Sequence, residues 1–410
     1  MKYIVLIGDG MSDYPVEELN GRTPLEVAKI PNITYIAEHG TVGRVTTIPR
    51  GMSPASDIAN LSIIGYDPKK YYTGRGPLEA ANMGVQLDRD DVAFRCNLVT
   101  IADGRMADYS AGHITSKEAG VLIKYLDEKL GSKWINFYPG MSYRHLAVIR
   151  TKYIGQTGKA ALTPSDFMET DCVPPHNILG EAIAKNMPKG RTEQILIKLI
   201  DDSVPLLERH ELNRVRIDLK ENPANRIWLW GQGTKPDMPP FKEKFGVDGA
   251  VISAVDLVKG IGRLIGLDVI DVPGATGYYD TDYKAKGEYA LKALEDKDFV
   301  YVHVEAPDEA GHNGDLRAKI GAIENFDKFV VGTILEKFKS GGGGDFRLLV
   351  MPDHPTPVSL KTHTSDAVPF AVCGKGIEIG EIKSFTENAA RQAKLSFKNG
   401  SDIMEYLIKQ

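Results

Sequence analysis

Three short apolar runs, far apart in the chain, end in the same way. "YIVLIGDG" closes on Asp9, "VYVHVEAPDEAGH" on Asp308 and His312, and "LLVMPDH" on Asp353 and His354. Runs rich in Val, Ile and Leu without polar alternation suit strands covered on both faces. "RIWLWG" near 226–231, "DVIDVPG" near 268–274 and "PFAVCG" near 369–374 read the same way. Between them, "YKAKGEYALKALED" and "LRAKIGAIENFDKFVVGTILEKFKS" place apolar residues at three- and four-residue spacing, and "GGGG" at 341–344 ends the second helix. Strand–helix alternation of this kind predicts an α/β fold with a mostly parallel sheet flanked by helices.

Residues 77–225 read differently. "VAFRCNLVTI", "RMADYSAGHIT" and "INFYPGMSYRHLAVIR" suggest shorter, antiparallel strands, followed by the Pro-rich "LTPSDFMETDCVPPHNILG". This predicts a smaller α/β domain, 77–225, inserted into a larger one made of 1–76 and 226–410. A chain of 410 residues that is 42% hydrophobic has ample core for both. The net charge of −5 (50 − 55) argues against nucleic acid or an acidic membrane as partner. Three scattered cysteines make neither a disulfide framework nor a zinc knuckle, which fits a reduced, cytoplasmic setting. The first apolar run is too short for a signal sequence or a membrane span.

In a parallel sheet the carboxyl ends of the strands share one edge, where open α/β folds bind ligands. Asp9, Asp308, His312, Asp353 and His354 can therefore converge, and "KTHTSD" adds His363 from a loop. Taken singly, an Asp at a strand end is usually a helix cap and a His is usually packed. Four such segments together point to a divalent-metal site, since oxygen and imidazole ligands suit manganese, zinc and related ions. "PRGMSPASDIANLSIIGYDP" (49–68) supplies a nucleophile candidate. Ser56 stands directly before a helix predicted from Asp57, where backbone N–H groups can receive a phosphate and a nearby metal can activate the hydroxyl. Ser53 precedes Pro54, which biases it toward an extended conformation, and Ser62 lies inside the helix.

The stretches "GDGMSD", "SPASDIANLSIIGYDP", "YYTGRGPLEAA", "FRCNLVT", "WLWGQG", "HVEAPDEAGH" and "MPDHPTP" together resemble the archaeal-type cofactor-independent phosphoglycerate mutases of the alkaline phosphatase superfamily. The resemblance implies an alkaline-phosphatase-like domain with two divalent metals, manganese first and zinc, cobalt or magnesium as alternatives. It implies Asp308, His312 and His363 on one metal, and Asp9, Ser56, Asp353 and His354 on the other. Ser56 would carry the phosphoryl group. Its surroundings resemble "NSEVGHLNI" of longer bacterial relatives, with Ala55 and Asn60 in place of the Asn and His.

Arg75 in "TGRG" and Lys259 in "VDLVKGIG" would face phosphate, while Arg95, His113 and Arg144 in the inserted domain would hold the substrate's carboxylate and hydroxyls. The implied reaction is interconversion of 3-phosphoglycerate and 2-phosphoglycerate without a bisphosphoglycerate cofactor, on a small phosphorylated sugar acid. Transfer to another small alcohol such as homoserine, phosphate-ester hydrolysis and non-enzymatic metal binding stay open at this point. Monomer and homo-oligomer are equally open.

Overall fold

The computed structural model describes residues 1–157 and 161–409, which form two compact units, Met1–Tyr72 with Asp237–Gln410, and Thr73–Pro236. The larger unit opens with β1 (Lys2–Gly8) and β2 (Gly40–Val45). The chain then builds the smaller unit with β3 (Asp91–Ala102), β4 (Arg105–Asp108), β5 (Ile135–Tyr138), β6 (Arg144–Arg150) and β7 (Arg226–Thr234). It returns to the larger unit with β8 (Gly249–Ile252), β9 (Asp268–Val269), β10 (Phe299–Val304), β11 (Phe346–Met351), β12 (Val368–Gly374) and β13 (Ser396–Phe397).

The large sheet has eight strands in the order β13-β2-β12-β11-β1-β10-β8-β9. The block from β11 to β9 is parallel throughout, whereas β12 runs antiparallel to both β11 and β2. The three runs that end in acids are therefore the adjacent strands β11, β1 and β10. Ile7 lies opposite His303 on one side and Met351 on the other, so the chain leaves the sheet at nearly one level after all three. Ile4, Leu6, Val300, Val302, Val304, Leu348 and Val350 are buried against Ile323, Phe326, Val330 and Ile334 of the helical run that follows β10. The strand ends are thus anchored in close-packed core.

In the smaller unit β3 is central and pairs antiparallel with β4, β6 and β7, while β5 pairs with β6. Helices Ser116–Leu130 and Glu193–Glu208 cover it, burying Leu122, Ile123, Leu126, Leu196 and Ile200 against Phe94, Cys96 and Leu98.

Three elements differ from their sequence reading. "RIWLWG" is β7 and hydrogen-bonds to β3, so it belongs to the smaller sheet, and the units meet at 72/73 and 236/237 rather than at 76/77 and 225/226. Of "DVIDVPG" only Asp268–Val269 forms a strand, with Ile270 N–H adding one bond to Val251 O, and the chain turns at Gly274 (φ 77°). The stretch 316–340 is not one uniform α-helix. It widens into a π segment at Phe326–Val331 between Leu316–Asn325 and Gly332–Lys339. Among the described residues, no helix is long and apolar enough to cross a membrane.

Lys319, on the helix Leu316–Asn325, is fully buried. Its ammonium donates to Asp13 Oδ2 (2.7 Å), Thr356 O (2.8 Å) and Ser12 O (3.1 Å). It therefore ties the loop after β1 to the loop after β11. Lys319→Met should leave the Asp13 carboxylate buried without its cation and lower unfolding stability by about 3–5 kcal/mol, the usual consequence of removing one partner of a buried pair. Urea denaturation of the two proteins measures it.

Candidate active site

Each strand end delivers its side chain through a different local device. Asp9 follows β1 directly. Gly10 next to it has φ 60°, and a Cβ there would lie 2.6 Å from both Asp308 Oδ1 and Thr356 Oγ1, so only glycine lets these segments approach. After β10 the chain enters the helix Ala306–Asn313, with Pro307 in its first turn. Asp308 and His312 are one turn apart and share a face. After β11 come Asp353 and His354, both fully buried. His363 arrives from the loop beyond.

These side chains converge. His312 Nε2 lies 3.2 Å from Asp308 Oδ2 and 2.9 Å from His363 Nε2, and His363 Nε2 lies 3.4 Å from Asp308 Oδ1. His354 Nε2 sits 3.4 Å from Asp9 Oδ1, 3.6 Å from Asp353 Oδ2 and 3.0 Å from Ser56 Oγ. The rings of His354 and His363 lie 4.0 Å apart, tilted by 36°, which links the two groups. Among the described residues, two sets bring ligand atoms within 4.8 Å of one another: Asp308 with His354 and His363, and Asp9 with His303 and Asp353. His354 thus lies between the sets, nearer to the Asp308 set than the resemblance implies, and His312 adjoins that set through Asp308 and His363.

Ser56 is the first residue of the helix Ser56–Ile63, which begins one residue earlier than predicted, with Ala55 at its cap position. Ala55 makes no capping side-chain hydrogen bond, and within the first turn Asp57 Oδ1 accepts from Ile58 N–H at 3.1 Å. Asn60, one turn on, donates from Nδ2 to Ser56 O and to Asp353 Oδ2, both at 2.8 Å, and accepts from the Tyr301 hydroxyl at 2.5 Å. The residue that replaces a histidine of the bacterial pattern therefore straps the serine helix to Asp353. Ser53 is exposed and Ser62 is buried.

The electrostatics follow from crowding like charges in a dry site. Burial, then the Asp353 and Asp308 carboxylates, push Asp9 well above the usual carboxylate range. Burial also works against ionised Asp308, but hydrogen bonds to His312 and His363 win and hold it well below that range. Asp353 behaves likewise, with His354 and His303 overcoming burial. Burial pushes His354 down. The hydrogen bond to Asp308 lifts His312 to about 9. Asp9 Oδ1 is buried and accepts no hydrogen bond. An orphaned carboxylate oxygen among two further carboxylates and imidazole nitrogens is a donor set that fits divalent cations.

The smaller unit gathers the other predicted residues. Arg95 is buried, its Nε 2.9 Å from Glu79 Oε1 and its guanidinium 4.4 Å from the centre of the Trp230 ring. Arg75, at the start of the helix Arg75–Asn82, lies 5.9 Å from the same ring. His176 packs edge-on to Trp230 at 5.2 Å and to Tyr109 at 6.2 Å, and Tyr109 meets Tyr143 at 5.9 Å. His113 (6.2 Å) and Arg144 (5.6 Å) both lie against Tyr143. Burial, then Arg75 and Arg95, push His176 down to about 4, which leaves it a neutral hydrogen-bonding group among arginines. Lys259, in the larger unit, contacts Asp271 Oδ1 at 2.6 Å, the ordinary ion-pair alternative to a phosphate contact.

Sequence reasoning missed His303, Trp230 and His176. His303 had a signal, since it is the one imidazole in a strand otherwise read as core.

The raised pKa of His312 has a signed consequence for the metal-free protein. Its stabilisation is complete below the ordinary value of 6.5 and is lost as pH rises through about 9. His312→Ala should therefore lower the thermal midpoint more at about pH 6 than at about pH 10. Paired melting curves at the two pH values check this.

Comparison with known proteins supplies the remaining observation. A family model described as 2,3-bisphosphoglycerate-independent phosphoglycerate mutase matches residues 37–213. A protein of that name from Methanosarcina barkeri is 50% identical over 410 residues, covering all of both chains. A "probable" one from Geobacter sulfurreducens is 50% identical over 416 residues, again covering both completely. A solved protein from Pyrococcus horikoshii is 31% identical with a TM-score of 0.81, covering 100% of this chain and 96% of that one. The solved cofactor-independent phosphoglycerate mutase of Thermoplasma acidophilum is 27% identical with a TM-score of 0.66, covering 100% and 99%. With half its residues identical across whole relatives, and with the same fold, this chain belongs to the 2,3-bisphosphoglycerate-independent phosphoglycerate mutase family.

Proposed function

We propose that the chain interconverts 3-phosphoglycerate and 2-phosphoglycerate through a phosphoserine at Ser56. The observation that carries the reading is the place of Ser56 Oγ, 3.0 Å from His354 Nε2, at a helix N-terminus beside two Asp/His sets. Asp308, His312 and His363 would hold one divalent ion, and Asp9, Asp353, His354 and Ser56 the other, with manganese first among the candidates. When bound, the ions supply charge neutralisation for the phosphoryl oxygens and favour the ionised serine hydroxyl.

Ser56 Oγ gives up its proton and forms a bond to phosphorus as the phosphate–glycerate ester bond breaks, and the freed glycerate oxygen takes up one proton, so the exchange is proton-neutral. The return step is the same exchange with glycerate's other hydroxyl, so the phosphoryl group is neither gained nor lost. The helix N–H groups stabilise charge on the phosphoryl oxygens in both steps. Asn60 keeps Ser56 in register with Asp353. Arg75 and Arg95 suit the planar, charged groups of a phosphorylated acid, with His113 and Arg144 proposed for its carboxylate and hydroxyls. The smaller unit is accordingly proposed to grip glycerate and exclude water between the two half-reactions, as retention requires.

Ser56→Ala should abolish the phosphoserine and lower turnover at least about a thousandfold, the scale seen when a member of a covalent catalytic unit is removed. Ser53→Ala should keep far more activity. Mass spectrometry of acid-quenched enzyme locates the phosphate. Phosphate mapped to Ser53, or substantial mutase activity in Ser56→Ala, contradicts the assignment.

A further inference from the structure

Beneath Asp9 and Asp353 runs a buried chain of polar groups that the proposed chemistry does not use. Lys286, on the helix Tyr283–Asp296, is fully buried. Its ammonium donates to Glu305 Oε2 at 2.9 Å and to the His303 carbonyl at 3.1 Å. Glu305 Oε1 accepts from Ser253 Oγ at 2.9 Å and from the N–H groups of Ala254 and Val255 at 3.0 Å each, and it lies 3.2 Å from His303 Nδ1. The opposite nitrogen of that ring, Nε2, lies 3.3 Å from Asp9 Oδ2 and 3.8 Å from Asp353 Oδ2. Lys286 and His303 are completely buried, and Glu305 and Asp9 nearly so.

A buried ion pair is weak evidence for stability, because well-packed apolar residues of similar size often do as well. This pair does something apolar residues cannot. Glu305 is pinned by donors from three directions, so its carboxylate cannot turn. It fixes one ring nitrogen of His303 and thereby aims the other at the two aspartates. A carboxylate behind an imidazole, outside the ligand set proper, is how metal sites set ligand orientation. We infer that Lys286, Glu305 and His303 form a positioning relay that holds the Asp9 and Asp353 carboxylates in place for one of two divalent ions. The inference rests on the two-metal reading above.

The test is calorimetric titration of manganese(II) into the chelator-stripped full chain, with thermal unfolding and steady-state kinetics alongside. Lys286→Met alone strands a buried carboxylate, so the informative variant is Lys286→Met/Glu305→Gln, which removes both charges together, with His303→Leu as the second. The relay predicts that both variants unfold near the wild-type midpoint and bind one manganese with wild-type affinity. The other manganese should bind at least about tenfold more weakly, within the range for partners behind metal ligands, and kcat should fall with KM for 3-phosphoglycerate little changed.

Wild-type affinity for both ions in both variants overturns the relay alone. Equal weakening of both ions with a lowered midpoint assigns these residues a purely structural role and also overturns it. A wild-type chain that takes up no manganese contradicts the two-metal reading and the relay with it.

Discussion

Everything at this site follows from holding Asp9, Asp308 and Asp353 together where they repel one another. Three carboxylates at adjacent strand ends, nearly dry, would separate if the backbone allowed it. Parallel pairing of β11, β1 and β10 removes that freedom, because all three strands are buried along their length and end at one level. Burial and then the neighbouring carboxylates push Asp9 up, while contacts with the surrounding histidines hold Asp308 and Asp353 down. Beneath the set two fully buried lysines are each paired with a carboxylate of their own, Lys286 with Glu305 and Lys319 with Asp13, and the positive partners nearest the three aspartates are the histidines. Divalent cations, in the proposed function, supply positive charge from above.

The nucleophile is positioned by a separate device. Ser56 stands on a helix whose residues Asp57–Ile63 are all buried, so the hydroxyl has a fixed platform. Asn60 then couples that platform to Asp353 through one 2.8 Å hydrogen bond, its second 2.8 Å bond going to Ser56 O in the same helix. Where the bacterial pattern has a histidine, this chain thus uses an amide that donates twice and is itself oriented by Tyr301.

Much of this was legible in the sequence, for a definite reason. Strand ends in a parallel sheet share an edge, so an Asp or His just after an apolar run carries positional information, and Asp9, Asp308, Asp353 and His354 were found on that basis. His303 was not, because within "VYVHVE" it occupies an alternating position that reads as core, and its partners Asp9 and Glu305 become neighbours only through strand pairing. Lys286 and Lys319 were hidden for a similar reason. Both lie on helices whose apolar spacing predicts a buried face but does not say that a lysine points into it. The strand at 226–234 was assigned to the wrong sheet because an apolar run declares its burial and not its hydrogen-bonding partner. His176 and Trp230 come together with Arg75 and Arg95 through contacts spanning much of the smaller unit, which no local pattern encodes.

The central claim is that the phosphoryl group passes through the protein and returns to glycerate instead of going to water. The direct measurement is product analysis of metal-reconstituted protein given 3-phosphoglycerate in oxygen-18-labelled water, with homoserine present as a competing acceptor. The account predicts 2-phosphoglycerate as the main product, with no label in its phosphoryl group and little inorganic phosphate. Labelled inorganic phosphate or phosphohomoserine as the main product would contradict it.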